Sequence, residues 1–204
     1  MTLLHTTLCE LLAVLRGIHW HAWTTHWKTS GPDFYGDHLL FQRIYESTSE
    51  DGGGPDISAE TDGLGERIVA LYGPSGIDAV RVQERALAHL KGIVGQDPIQ
   101  GALALEKEAL RLGAKAAGLT VNLPPEYSVN LDNYLRSLVD ERSTVIYLLQ
   151  QRLGHSPNPS EFGTLLSIPS SPSASNLFIG ALLLGALGYG VYTLNEQRKQ
   201  LTGA

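Results

Sequence analysis

Histidines and carboxylates occur in this chain at spacings that suit metal ligands. Four histidines lie between residues 19 and 38: His19, His21, His26 and His38. Further along, Asp62 and Glu66 are four residues apart, which places both carboxylates on one face of a helix. Carboxylates bind hard cations and imidazoles bind iron, so the set would suit an iron site. The spacing alone also allows structural histidines and solvated acids.

More polar side chains accompany His38. Steps of four and three place His38, Gln42 and Tyr45 on one face of a helix, with Glu46 at the edge of that face. We therefore include Gln42 and Glu46 among the candidate metal ligands.

The helix that carries the first three histidines is predicted from a regular apolar stripe. Its members recur in steps of four and three and are Leu4, Leu8, Leu11, Leu15, Ile18, Ala22 and Thr25. The helix should end near Ser30, Gly31 and Pro32, since glycine favours a helix end and proline cannot continue one.

The rest of the chain to residue 155 also has helical patterns. Asp33 is the expected cap of a second helix through about Glu50, with Leu39, Leu40, Phe41 and Ile44 as its apolar contacts. Further helices are predicted over 58–72, 78–94, 97–117 and 131–153, and the acids Glu106, Glu108, Asp140 and Glu141 are expected on solvated faces. Strand signals are scarce. The fold class is therefore all-α, with residues 1–155 as an antiparallel four-helix bundle and a short extra helix in its middle connection.

Composition fits a globular protein in a reducing compartment. The 204 residues are 43% hydrophobic, and the formal net charge of −6 argues against general attraction to nucleic acid. A single cysteine, Cys9, excludes an intramolecular disulfide framework. The N-terminal segment lacks the pattern of a secretory signal, so a cytoplasmic location is expected.

The C-terminal quarter has a different composition. Residues 156–176 are rich in proline and serine and should form a tether. Residues 177–194 carry no charge and would span about 27 Å as a helix, which nearly crosses a bilayer core. We expect a C-terminal membrane anchor inserted after synthesis, followed by a short polar tail over 195–204; the alternative is a buried or oligomer-lining helix.

Two segments resemble the Dps family, the ferritin-like proteins that protect DNA during starvation. His26-Trp27 ends the first helix, a Gly-x-x-Phe turn from Gly31 follows, and His38 comes twelve residues after His26. Residues 62–71, which begin Asp-x-x-x-Glu-Arg, look like the segment that follows in that family. The close likeness covers about residues 20–73 and extends more weakly to about residue 155.

This resemblance implies a homo-oligomeric shell that oxidises ferrous iron, preferentially with hydrogen peroxide, and stores ferric iron inside. It implies a mononuclear or di-iron ferroxidase site shared between subunits, with His26 and His38 from one subunit and Asp62 and Glu66 from its neighbour. Trp27 matches a tryptophan beside that site, where it would intercept oxidising equivalents.

Two departures from the family pattern concern the site. Gln42 stands where the family usually has an acidic ligand, and a neutral amide is a poorer ligand for iron. About nine extra residues, 52–60, interrupt what is normally one helix, and their glycines and Pro55 should break it. If this insertion loops out, Asp62 and Glu66 return to register; otherwise Glu46 or Glu50 would replace them.

The sequence thus predicts a Dps-like ferroxidase tethered to a membrane. Proteins of the Dps family generally bind DNA through a flexible basic arm. Strong DNA binding is not expected here, because the first 30 residues contain only two basic residues, Arg16 and Lys28. The alternative is a non-catalytic ferritin-like scaffold, anchored at a membrane or inside a larger particle. A peroxide-independent di-metal oxidase is disfavoured because the paired Glu-x-x-His motifs of such bundles are missing.

Overall fold

The described part of the protein is entirely helical. A computed structural model describes residues 2–46 and 57–154, in which no strand occurs. The predicted all-α class is thus confirmed there. Six α-helices follow one another in the order α1 Leu3–Lys28, α2 Phe34–Tyr45, α3 Ile57–Tyr72, α4 Ala79–Gly92, α5 Pro98–Leu119 and α6 Pro125–Arg152, and short 3-10 turns occur at Pro74–Gly76 and Thr120–Asn122.

The core lies around α1 and α5. Every member of the predicted α1 stripe is buried. α1 packs against α2, α3, α4 and α5, while α5 also packs closely against α6. A Cβ on Gly113 of α5 would stand 3.0 Å from Val139 Cγ2 of α6, so the close approach of these two helices is favoured by a glycine there.

The turn between α1 and α2 lies where the sequence predicts it. α1 ends at Lys28, and Gly31 has a φ of +87°, a conformation that glycine adopts without strain. One detail of the prediction is wrong: Asp33 precedes α2, but its side chain makes no capping hydrogen bond. Instead, Asp33 Oδ2 lies 2.8 Å from Arg152 Nη2, because ion pairing with α6 competes with the cap.

The apolar contacts of α2 are fewer than predicted. Phe41 and Ile44 are buried against the core, whereas Leu39 is exposed. α2 ends at Tyr45, and Glu46 has extended backbone angles, so the helix stops earlier than about Glu50. A short helix with two buried side chains presents a narrow face to the core.

The last part of the predicted insertion is helical. Residues 57–60 belong to α3, and Glu60 is buried, so these positions are not part of a loop. The remainder, 52–56, lies outside the described residues, as does Glu50.

The last helix also differs from its prediction. α6 begins at Pro125, six residues before Leu131, because Pro125 occupies the first helical turn, where proline needs no amide hydrogen. The predicted tether 156–176, apolar helix 177–194 and tail 195–204 lie outside the described residues. Within the described ranges, each helix is too short or too polar to cross a membrane.

Candidate metal centre

The structure brings His26 and His38 together. His26 lies in the last turn of α1, and the turn at Gly31 and Pro32 folds α2 back so that His38 faces it. The two imidazole rings are stacked, with 3.7 Å between their centroids and 30° between their planes. The turn therefore brings the two imidazoles into direct contact.

Hydrogen bonds fix the tautomer of His38. Its Nδ1 lies 3.2 Å from the backbone oxygen of His26, and a carbonyl oxygen can only accept, so Nδ1 carries the proton. The Thr29 hydroxyl donates to the same carbonyl at 2.9 Å. This arrangement leaves the lone pair of His38 on Nε2, as in a histidine that binds a metal through Nε2.

His26 has ligand atoms without protein partners. Both of its ring nitrogens are buried and neither makes a hydrogen bond. Burial lowers the pKa of His26, the neighbouring His38 lowers it further, and Glu46 opposes the change. The imidazole is thus held neutral, which is the form that binds a metal ion.

The C-terminal end of α2, beyond His38, carries Gln42, Tyr45 and, just after the helix, Glu46. The Tyr45 ring lies 5.2 Å from the His26 ring in an edge-to-face arrangement. Gln42 Nε2 donates to Glu46 Oε2 at 2.8 Å. Burial and the Glu46 carboxylate both raise the pKa of Tyr45. Gln42 therefore orients a carboxylate at this end of the helix.

Asp62 and Glu66 lie elsewhere in the same chain. They line a cleft of about 410 Å³ between α3, α1 and α4, together with Arg16 and Gln83. Asp62 Oδ1 is 3.9 Å from Arg16 Nη2, and Arg16 precedes His26 by ten residues, about 15 Å along α1. Among residues 2–46 and 57–154, no three His, Cys, Asp or Glu side chains converge as a metal site. Each chain thus presents a histidine pair and a separate carboxylate pair.

Exposed aromatic side chains surround the histidine pair. Trp27 is 61% exposed and its ring lies 4.5 Å from that of Trp23. Phe34 and Tyr35, at the start of α2, are exposed as well, and the Phe34 ring lies 5.0 Å from that of His38. Large exposed apolar side chains grouped in this way are typical of an interaction surface.

The other two candidate histidines have different surroundings. His21 Nε2 donates to the backbone oxygen of Pro98 at 2.9 Å and so ties α1 to the start of α5. The His19 ring lies 6.3 Å from the Tyr45 ring and 6.4 Å from the Trp23 ring, next to the histidine pair.

Sequence reasoning missed a buried charged cluster between α3, α5 and α6. Arg142 Nη1 lies 3.2 Å from Glu106 Oε1, and Arg142 Nη2 lies 3.0 Å from Glu60 Oε1. We name these three residues the Arg142 cluster. Burial raises the pKa of Glu60 to about 9, with Arg142 opposing the rise.

The expected solvated position of Glu106 is therefore wrong. Glu106 is fully buried because it occupies a core position of α5, where Arg142 from α6 compensates its charge. A signal existed: Arg142 continues the apolar spacing of Leu131, Leu135 and Leu138 in steps of four and three. Glu108, by contrast, is partly exposed and pairs with Arg111 on the surface.

Comparisons of the chain with protein-family models, curated proteins and solved structures find no match. The candidate chemistry therefore follows from the side chains themselves. These are the stacked imidazoles of His26 and His38, of which His26 is neutral and has no protein partner for its nitrogens, and the separate carboxylate pair of Asp62 and Glu66.

Proposed function

We propose that this protein is a Dps-like ferroxidase, which oxidises ferrous iron with hydrogen peroxide and sequesters the ferric product within a homo-oligomer. The observation that carries the proposal is the stacked pair of His26 and His38. Both ring nitrogens of His26 are buried and have no protein partner to satisfy them. An iron ion would supply that partner, and imidazole nitrogen is a suitable ligand for it.

The proposed architecture is a ferritin-like antiparallel four-helix bundle. In it, α1, α5 and α6 form three of the long helices, and α2 with α3 together form the fourth. The contacts of α1 with α3 and α5, and of α6 with α5 and α3, support this arrangement. α4 then lies in the middle connection.

Carboxylates would complete the iron site. A lone histidine pair would bind ferrous iron weakly, whereas carboxylates stabilise the ferric state. We propose that Asp62 and Glu66 come from a second subunit, because in one chain they lie far along α1 from the histidines. Glu46, oriented by Gln42, would add a carboxylate from the histidine side. The exposed surface around Trp27 would be covered when the subunits meet.

The proposed reaction consumes two ferrous ions and one peroxide molecule. Each ferrous ion loses one electron, the O–O bond of peroxide accepts both electrons and breaks, and two protons complete two water molecules. Carboxylates would hold the iron, and the imidazoles would fix its geometry. Trp27, beside the pair, would donate an electron to any stray oxidising equivalent.

Purified protein tests this proposal directly. Ferrous oxidation should be faster than the buffer blank, should accelerate with peroxide, and should leave iron bound to the assembled protein. Oxidation no faster than the blank, from a folded oligomer, would instead favour the non-catalytic ferritin-like scaffold.

A site shared between two chains makes a distinct prediction. His26→Ala and Asp62→Asn proteins should each be deficient, but a mixed dimer contains one site built from two undamaged halves. In a random mixture about half of the dimers are mixed, and each mixed dimer has one intact site of two. About a quarter of the wild-type rate should therefore return. Stopped-flow ferrous oxidation after co-refolding measures this recovery, and mass spectrometry confirms that mixed dimers form. Inactive mixed dimers would mean that the ligands come from one chain or are misassigned.

We further propose that residues 177–194 anchor the protein in a membrane with the helical body in the cytoplasm. Full-length protein should sediment with membranes and resist extraction by salt or carbonate. Truncation after Ser175 should release a soluble, folded oligomer. Leu184→Arg keeps the full chain and should also release the protein from membranes, since an arginine at the centre of a spanning helix costs about 3 kcal/mol of insertion free energy. A full-length protein that remains in the supernatant as a monodisperse assembly would favour a packed tail.

A further inference from the structure

α2 carries His38 but is held to the rest of the protein by few apolar contacts. Phe41 and Ile44 are its buried side chains, and both lie in its second half. A helix of 12 residues is marginal in isolation, so its position depends on tertiary contacts. The first turn, which leads into His38, needs another source of order.

Arg152, at the end of α6, supplies a contact of the right kind. Its Nε lies 2.6 Å from Asp37 Oδ1, and its Nη2 lies 3.2 Å from Asp37 Oδ2 and 2.8 Å from Asp33 Oδ2. The planar guanidinium thus binds Asp37 through two nitrogens and reaches a second carboxylate one turn away. Such two-point contacts fix orientation as well as distance.

The Asp37 side of this ion pair is partly shielded from solvent. The side chain of Asp37 is 20% exposed and that of Arg152 is 37% exposed. The hydrogen bonds to Asp37 raise the pKa of Arg152 above its usual value, so the guanidinium stays charged. Asp33 precedes α2 and Asp37 lies in its first turn, where the helix dipole favours negative charge.

We infer that Arg152 is a positioning residue for His38. Asp37 is the residue immediately before His38, so the contact that fixes Asp37 also fixes the backbone from which the imidazole extends. Gly31 and Pro32 form the connection on the other side. With Arg152 in place, the His38 ring is held over His26; without it, the first turn of α2 can swing about that connection. The effect on iron oxidation rests on the proposed function, whereas the effect on ring stacking does not.

The test compares Arg152→Ala and Arg152→Lys with Arg136→Ala in the full-length protein. Arg136 is the matched control because it lies on the same helix and pairs locally with Asp132. The readout is the ¹³Cε1–H NMR signals of histidine-labelled protein at fixed pH, since stacked rings shift one another's signals. Arg152→Ala should move the His26 and His38 signals toward those of free imidazole. Lysine should restore them only in part, because it lacks the planar fork.

Ferrous oxidation is measured in parallel. Loss of a residue that orients a ligand commonly lowers activity by about 10-fold or more, and that is the loss expected of Arg152→Ala. If wild-type protein does not oxidise iron but the histidine signals still move, the proposed function fails and the positioning role stands. If the signals stay in place in Arg152→Ala, or move equally in Arg136→Ala, the inference is wrong. Asp37→Asn probes the same contact from α2 should the arginine variants fail to fold.

Discussion

His38→Ala should abolish most peroxide-dependent ferrous oxidation while leaving the helix content unchanged. The substitution removes Nε2, the nitrogen that the hydrogen bond to the His26 carbonyl leaves free for a metal. Because His38 is partly exposed, little of the apolar core depends on it. Removing even an outer partner of a metal site commonly costs about 10- to 100-fold, and a direct ligand should cost at least that. Stopped-flow oxidation and far-UV circular dichroism measure the two quantities.

His89→Ala is the matched control for that variant. His89 is a histidine of α4 whose Nε2 lies 3.0 Å from Glu10 Oε1, away from the stacked pair. The His89→Ala protein should oxidise iron at the wild-type rate. Equal rates for His38→Ala and wild-type protein, or equal losses for both variants, would remove His38 from the site.

Much of the helical framework follows from the sequence, because it depends on local rules. The sequence predicts every buried member of the α1 stripe, since a regular spacing of apolar residues defines the face that a helix buries. The C-terminal end of α1 and the N-terminal start of α5 also follow from local signals. Gly31 and Pro32 terminate the first, while Asp97 accepts hydrogen bonds from the amides of Ile99 and Gln100 at the start of the second.

The errors arise where a distant partner decides the outcome. Asp33 could cap α2, but Arg152 is 119 residues away and attracts the same carboxylate. Leu39 has the hydrophobicity of a core residue, yet no helix of the described part covers it. Neither the Asp33–Arg152 ion pair nor the exposure of Leu39 is determined by neighbouring residues, so the periodicity of the sequence cannot predict them.

The candidate site divides in the same way. The twelve-residue spacing and the intervening turn suffice to predict that His26 and His38 approach each other. They do not predict the stacking, in which the His38 ring and the Thr29 hydroxyl both donate to the His26 carbonyl. Nor do they predict the hydrogen bond from Gln42 to Glu46. The proposed approach of Asp62 and Glu66 to the histidines depends on a second chain, whose placement no local rule describes.

The Arg142 cluster should make stability depend on pH in an unusual direction. Glu60 has an ordinary pKa of 4.5 in an unfolded chain, and burial raises it to about 9 in the folded protein. The folded state therefore holds this proton more tightly, so the stabilisation is complete below pH 4.5 and is lost as the pH rises to about 9. The slope is about 1.4 kcal/mol per pH unit for one proton.

Glu60→Gln isolates that effect, because glutamine has a similar shape and does not titrate. Urea unfolding of the two proteins at pH 6 and pH 8.5 should show wild-type stability falling more steeply than that of the variant. Identical slopes would mean that Glu60 is ionised in the folded protein at pH 6 and that Arg142 compensates both carboxylates.

Arg142→Met should be far more damaging than Glu60→Gln. Methionine fills similar space but leaves Glu106 buried without its guanidinium, and breaking a buried pair from one side costs about 3–5 kcal/mol. Arg111→Ala is the control, since Arg111 pairs with Glu108 on the surface, where such pairs contribute about 0–1 kcal/mol. Adding Glu106→Gln to Arg142→Met should recover part of the loss, because the amide removes the uncompensated charge. Failure of that rescue, measured by urea unfolding at pH 7, would show that packing by the Arg142 side chain, rather than its charge, stabilises the junction of α3, α5 and α6.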